Sequence, residues 1–135
     1  MTFVDTNVLL YAVCPGESDR AKAEKARSIL RRDDLTLSVQ VLQEFYVQAT
    51  RATRTQPLTH DEAVALINLW LRFTIVPNSV PLLQNALRLK ARYQIGYWDA
   101  AILAAAIGAG CAELLSEDLN PGQIYETVTV INPFA

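Results

Sequence analysis

The sequence is poor in the residues on which several common kinds of protein site depend. Its 135 residues include two cysteines, Cys14 and Cys111, and one histidine, His60. Two cysteines are too few for a disulfide scaffold, and together with a single histidine they are too few for a typical zinc site. This composition excludes both classes and is consistent with a reducing cytosol.

Segments typical of export or membrane insertion are also missing. No basic residue precedes Asp5, which interrupts the opening apolar run too early for a signal peptide. The run of small and apolar residues from Ala100 to Ala112 has 13 residues, whereas a membrane-spanning helix needs about 20. We therefore expect a cytoplasmic protein with no membrane association, and we expect this run to form a closely packed internal helix.

Basic residues are absent from the last third of the chain. All 12 lysines and arginines lie between Arg20 and Arg92, whereas residues 93–135 contain five acids and no cation. With a net charge of -2 and a pI near 5.3, the chain has no general attraction for nucleic acid. Any such binding must therefore use local basic patches or a bound metal.

Short apolar runs alternate with helical patterns along the whole chain. This alternation is typical of a largely parallel sheet with helices on its faces. No linker or repeat interrupts it, so we predict one α/β domain over residues 1–135. Helices are predicted from Ser18 or Asp19 to about Arg32, after Ser38, from the Thr59 capping box to about Arg72, after Ser79 and after Gly96. Strands are predicted at Thr2–Val4, Leu35–Leu37, Phe73–Val76, Glu113–Leu115 and Val128–Ile131.

Four acids stand in apolar surroundings, at Asp5, Glu44, Asp99 and Asp118. Asp5 follows a predicted strand, and open α/β sheets bind ligands at the carboxyl ends of their strands. Acids of this kind, spread over the whole chain, suggest a site that is assembled by folding and holds a divalent cation. Hard cations such as Mg²⁺ take oxygen ligands of this type.

Each acid also has a simpler interpretation. Asp5 and Asp99 could cap or begin helices, where acids are favoured. Glu44 could lie on a solvated helix face, and Asp118 could be an ordinary loop residue. Glu117 competes with Asp118, because the sequence does not indicate which of the two side chains turns inward. It is their joint placement that favours a shared site.

In order and spacing, these motifs resemble a PIN-domain ribonuclease of the VapC-like toxin type, over essentially the whole chain. The resemblance implies an α/β/α sandwich, a Mg²⁺ or Mn²⁺ site, RNA cleavage and a small antitoxin as partner in a toxin–antitoxin pair. We also expect a homodimer. The motifs that carry the resemblance are Asp5-Thr6-Asn7 after an apolar run, Glu44 in the second helical region, Tyr97-Trp98-Asp99-Ala100, the segment from Ser116 to Gln123, and Val130-Ile131-Asn132-Pro133-Phe134.

The resemblance also assigns roles to the four acids. Asp5, Asp99 and Asp118 would position the metal, and Glu44 would hold a second ion or orient the attacking water. Polar support would come from Thr6, Asn7 and Ser116.

For RNA binding we choose basic residues expected near the cleft, Arg51 and Arg54 first and Arg88 and Arg92 next. A non-cleaving RNA- or protein-binding module on the same fold is the alternative, and the complete acid set argues against it.

Overall fold

Six strands form one mixed sheet in a computed structural model that describes residues 1–135. Their order across the sheet is β3-β2-β1-β4-β6-β5, and only the β5–β6 pair is antiparallel. Helices flank this mainly parallel sheet, so the predicted α/β/α arrangement is confirmed. The strands are β1 (Thr2–Val4), β2 (Leu35–Ser38), β3 (Thr74–Val76), β4 (Glu113–Leu115), β5 (Ile124–Tyr125) and β6 (Val128–Ile131).

Most of the helices begin at a polar residue that accepts a hydrogen bond from the first turn. Asp5, Ser38, Thr59 and Ser79 cap α1, α3, α4 and α5 in this way. None of the helices combines the length and the apolar character that a membrane-spanning segment needs. The helices are α1 (Thr6–Val13), α2 (Arg20–Leu30), α3 (Val39–Ala49), α4 (His60–Trp70), α5 (Val80–Tyr93) and α6 (Tyr97–Gly108), with a short 3₁₀ turn at Glu17–Asp19.

The predicted elements differ from the structure mainly at their ends. Helices α2 and α4 end two residues earlier than predicted, at Leu30 and Trp70. Helix α3 ends at Ala49, so Arg51 and Arg54 lie in the loop beyond it and not on the same helix as Glu44. The two-residue strand β5 was not predicted, because it is too short to show a periodic pattern.

The buried core fixes the central strands, whose carboxyl ends carry polar residues. Strands β1 and β2 are buried along their whole length, and so is α6 from Ala100 to Ala106. Because β1 and β4 are parallel neighbours, their carboxyl ends lie side by side. The backbone N–H of Asp5 donates to the carbonyl of Leu115 over 3.0 Å. Asp5 and Ser116, far apart in sequence, therefore meet just beyond the sheet.

Candidate active site

A cavity of about 100 Å³ lies at this edge of the sheet, and all four candidate acids line it. Asp5 follows β1, Glu44 lies within α3, Asp99 is in the first turn of α6, and Asp118 is in the loop after β4. No lysine, arginine or histidine lines the cavity with them. The other lining residues are Thr6, Asn7, Leu10, Gln48, Trp98 and Ile102.

Asp5 is the most deeply placed of the acids, with only 7% of its surface exposed. One carboxylate oxygen accepts the backbone N–H of Thr6 over 2.7 Å, and the other accepts the Ser116 hydroxyl over 2.8 Å. Burial raises the pKa of Asp5 to about 6; the charges of Asp118 and Glu44 add to this, and the two hydrogen bonds oppose it. Asp5 thus caps α1 and faces the cavity at the same time, so its two interpretations are compatible.

The three residues predicted as polar support each contact an acid of the cavity. The Thr6 hydroxyl donates to Glu44 over 2.9 Å. The Asn7 amide donates to Asp118 over 3.2 Å, and the Ser116 hydroxyl accepts the backbone N–H of Asp118 over 3.1 Å. These contacts tie the start of α1 to α3 and to the loop after β4, and they fix where the carboxylates point.

Glu44 has a second partner, Gln40, which was not among the residues predicted for the site. The Gln40 side chain donates to Glu44 over 2.9 Å and to the backbone carbonyl of Trp98 over 3.2 Å. Gln40 is buried and so joins α3 to the start of α6. Its position one turn before Glu44 is the signal that could have identified it, because residues four apart on a helix are neighbours.

Asp99 and Asp118 are more exposed than Asp5 and form the open side of the cavity. Loss of solvation within the cavity is the main reason why the pKa of Asp99 is raised, and the charges of Asp118 and Glu44 add to it. Three carboxylates thus act on one another across the opening. This side of the cavity is strongly negative.

Glu117, the competitor of Asp118, points elsewhere. Its carboxylate accepts the hydroxyl of Tyr11 and forms an ion pair with Lys22 over 3.2 Å. It does not line the cavity. The structure therefore places Asp118 with the other acids and gives Glu117 a contact with α1 and α2.

The two basic residues predicted first for RNA binding are separated by the structure. Arg51 is exposed and lines a groove that also includes Glu44 and Trp98. Arg54 is half-buried, donates to the carbonyl of Gln48 over 2.8 Å, and lines a different cavity. Only Arg51 shares a surface with the acids.

The second pair of basic candidates is engaged in ion pairs. Arg88 and Arg92 on α5 both contact Glu126, at 2.6 Å and 2.9 Å. Neither residue lines the acidic cavity or the groove beside it. Their arrangement supports a structural link between α5 and the β5–β6 turn.

The oxygen ligands of the cavity suit a hard divalent cation. No three acidic, histidine or cysteine side chains lie close enough to form a complete metal cage. Mg²⁺ seldom uses such a cage, because it usually binds through one or two carboxylates and keeps several waters. The side-chain oxygen of Asn7 is buried and has no hydrogen-bond partner, which leaves one more free oxygen in the cavity lining. The donor set therefore fits Mg²⁺ or Mn²⁺ held partly through water.

Comparison with solved structures shows the same fold in bacterial proteins of low sequence identity. A toxin–antitoxin complex from Klebsiella pneumoniae aligns with a TM-score of 0.72 at 19% identity, over 98% of both chains. FitAcB from Neisseria gonorrhoeae gives 0.69 at 18% identity, over 99% of both chains. VapC20 of Mycobacterium tuberculosis, a sarcin-ricin loop cleaving toxin, gives 0.66 at 20% identity, over 87% of this chain and 92% of the other.

Sequence comparison assigns the family. No curated protein gives a significant match to the sequence. The PIN domain family model matches residues 2–126, which include all four acids of the cavity. Because the match spans nearly the whole sequence, the chain belongs to the PIN domain family.

Proposed function

We propose that this protein is a Mg²⁺- or Mn²⁺-dependent endoribonuclease, the toxin of a type II toxin–antitoxin pair. The observation that carries the proposal is the acidic cavity. Asp5, Glu44, Asp99 and Asp118 line it, and no lysine, arginine or histidine side chain lines it with them. Acids that repel one another within a small cavity favour a divalent ion as their common partner. Membership of the PIN domain family supports nuclease chemistry at this position.

Each acid has a distinct part in the proposed reaction. A divalent ion bound here would supply Lewis-acid chemistry, polarising the phosphate and activating water. Asp5, Asp99 and Asp118 would hold the ion, and the hydrogen bonds from Ser116 and Thr6 keep Asp5 oriented. Each Asp5 oxygen still has acceptor capacity left for this role.

Glu44 would orient the attacking water or hold a second ion. Thr6 and Gln40 donate to its two oxygens, so its carboxylate is held in one orientation. Because water and not the ribose 2′-hydroxyl attacks, the products should carry a 5′-phosphate and a 3′-hydroxyl. These end groups distinguish the proposed hydrolysis from internal transesterification.

Partners are proposed from the same comparisons. The Klebsiella pneumoniae structure is a toxin–antitoxin complex, and other similar structures are VapBC and FitAB assemblies bound to DNA. By analogy we propose a small cognate antitoxin, a homodimer and a cytoplasmic location for this chain.

Expression of the chain with and without Asp5→Asn should show growth arrest and loss of RNA only for the wild type.

The direct test is RNA cleavage by the purified protein with Mg²⁺, with Mn²⁺ and with a chelator. Two neighbouring acids provide a matched pair of variants. Asp118→Asn should abolish cleavage, whereas Glu117→Gln should retain it, because only Asp118 lines the cavity. Cleavage that survives both the chelator and Asp118→Asn would contradict the proposal. RNA binding without cleavage under any of these conditions would favour the non-cleaving alternative.

A further inference from the structure

Trp98 is the exposed aromatic residue at the mouth of the acidic cavity. It is 66% exposed, whereas Trp70, the other tryptophan, is 3% exposed and packs in the core. Its ring packs edge-on against Tyr97, with centroids 5.0 Å apart. Its backbone carbonyl accepts the Gln40 side chain, so the residue is anchored to α3 while its ring remains open to solvent.

Trp98 lines two adjoining cavities. One is the acidic cavity, and the other is a groove of about 460 Å³ that shares Glu44 and Gln48 with it. The acidic cavity is too small for more than a phosphate group and its waters, whereas the groove is within the range of pockets that hold small ring compounds. Because the two cavities share Glu44, Gln48 and Trp98, a strand with a phosphate in the first would have the groove directly beside it.

The remaining lining of the groove suits a nucleobase and the backbone beside it. Gln43 and Gln48 offer amide groups, Val47 offers a small apolar contact, and Arg51 supplies the positive charge. Arg51 is exposed and makes no ion pair in the structure, so its guanidinium is available to a phosphate.

We propose that Trp98 stacks on an unpaired nucleobase adjacent to the cleaved phosphate and so positions the substrate strand at the acidic cavity. The proposal rests on the proposed nuclease function of the acidic cavity. Bases in a duplex are already stacked on their neighbours, whereas an unpaired base can place its face on an aromatic side chain. Such stacking tolerates any base, so Trp98 holds the strand in place without reading its sequence.

The test measures RNA binding without cleavage, in an Asp5→Asn background. The probes are an oligoadenylate of about ten nucleotides, the same length with abasic sugars, and a duplex of similar length. Leucine at position 98 (Trp98→Leu) should weaken binding of the oligoadenylate about tenfold, and Trp98→Phe should keep most of the affinity because it retains an aromatic face. Binding of the abasic strand should not change. Ile124→Ala, at an apolar side chain 62% exposed on β5, is the control.

Intrinsic fluorescence gives a second readout. Because Trp70 is buried, the oligoadenylate should quench the emission of Trp98, and the quenching should disappear in Trp98→Leu. Equal oligoadenylate affinity for Trp98 and Trp98→Leu would overturn the proposal, and so would loss of a dimer in Trp98→Leu with RNA affinity unchanged. If the wild-type protein cleaves RNA but Trp98→Leu does not change the oligoadenylate affinity, the stacking is refuted and the nuclease function stands. Stacking without any cleavage would refute the nuclease function.

Discussion

Two acids of this protein, Asp5 and Glu126, lie in opposite electrostatic environments. Glu126 contacts both Arg88 and Arg92, and these cations lower its pKa. Asp5 is buried beside other acids with no cation in the cavity, and its pKa is raised to about 6. An acid paired with arginines needs no further partner, whereas an unpaired buried carboxylate is stabilised by a proton or by a cation from outside the chain. The contrast separates an ion pair that supports the fold from a site that favours a ligand.

The largest effect on RNA cleavage is expected when the charge of Asp5 itself is removed. Asp5→Asn keeps the shape and the acceptor for the Thr6 N–H but removes the charge, so the fold should persist. RNA cleavage should fall at least about a thousandfold, or about 4 kcal/mol of transition-state stabilisation. Single-turnover cleavage and a circular-dichroism melt measure the two quantities. Wild-type rates in a folded Asp5→Asn protein would contradict the assignment of this cavity.

A second prediction concerns the pH dependence of stability without metal. The pKa of Asp5 is 3.8 as a free side chain and about 6 in the folded protein. Between these values the folded protein keeps a proton that the unfolded chain has released, so stability is full below pH of about 4 and falls until about pH 6. The difference between these pKa values corresponds to roughly 3 kcal/mol.

Urea unfolding in chelator, at several pH values across this range, measures the loss. Asp5→Asn should remove most of this loss of stability. A smaller loss in the same direction should remain, because the pKa of Asp99 is also raised. An identical pH dependence in wild type and Asp5→Asn would show that Asp5 is not the group responsible.

A bound metal should reverse the fall in stability with rising pH. Because the acids lie from residue 5 to residue 118, they form a joint site only in the folded chain, and binding there raises the free energy of unfolding. The increase should be about 2.7 kcal/mol at a Mn²⁺ concentration about 100 times Kd. Asp99→Asn should make the metal-free protein more stable and the metal effect smaller. Asp61→Asn, in the exposed first turn of α4, is the control, and equal Mn²⁺ shifts in all three proteins would refute a shared site.

A smaller effect is expected from the arginines beside α3. Arg51→Ala should weaken binding of single-stranded RNA and reduce its salt dependence by a slope of about 0.7, because one phosphate contact is lost. Arg54→Ala is the matched comparison, since Arg54 is bonded to the carbonyl of Gln48 and lines a different cavity. Titrations at several salt concentrations decide the matter. A larger change for Arg54→Ala would place the RNA path on the other side of the loop.

The smallest effect is expected at the ion-paired acid. Glu126→Gln removes the charge that Arg88 and Arg92 share; the two arginine side chains are 49% and 59% exposed, and ion pairs with exposed partners contribute little. Its melting temperature should fall by no more than about 4 °C, and cleavage should remain unchanged. A large loss of activity in this variant would mean that the two arginines serve the active site after all.

Much of the fold follows from local patterns. Five of the six strands and the capping residues Ser38, Thr59 and Ser79 can be recognised because each depends on neighbours within one turn or one run. Strand β5 escapes recognition because two residues carry no period. Helix ends are less predictable, as α3 shows by ending before Arg51, since terminal residues gain or lose only a single hydrogen bond.

The sequence alone determined which residues were candidates for the site, because acids that interrupt apolar runs are visible without a structure. Only the tertiary structure shows that Asp118 and not Glu117 lines the acidic cavity. It also shows that Arg51 and Arg54, three residues apart in sequence, line different cavities. The raised pKa of Asp5 is also a tertiary property, because its burial and the nearby charges of Asp118 and Glu44 exist only after folding. Parallel strands bring their carboxyl ends together whatever their distance along the chain, and that is the physical reason why Asp5 and Asp118 meet, while α3 and α6 bring Glu44 and Asp99 to the same cavity.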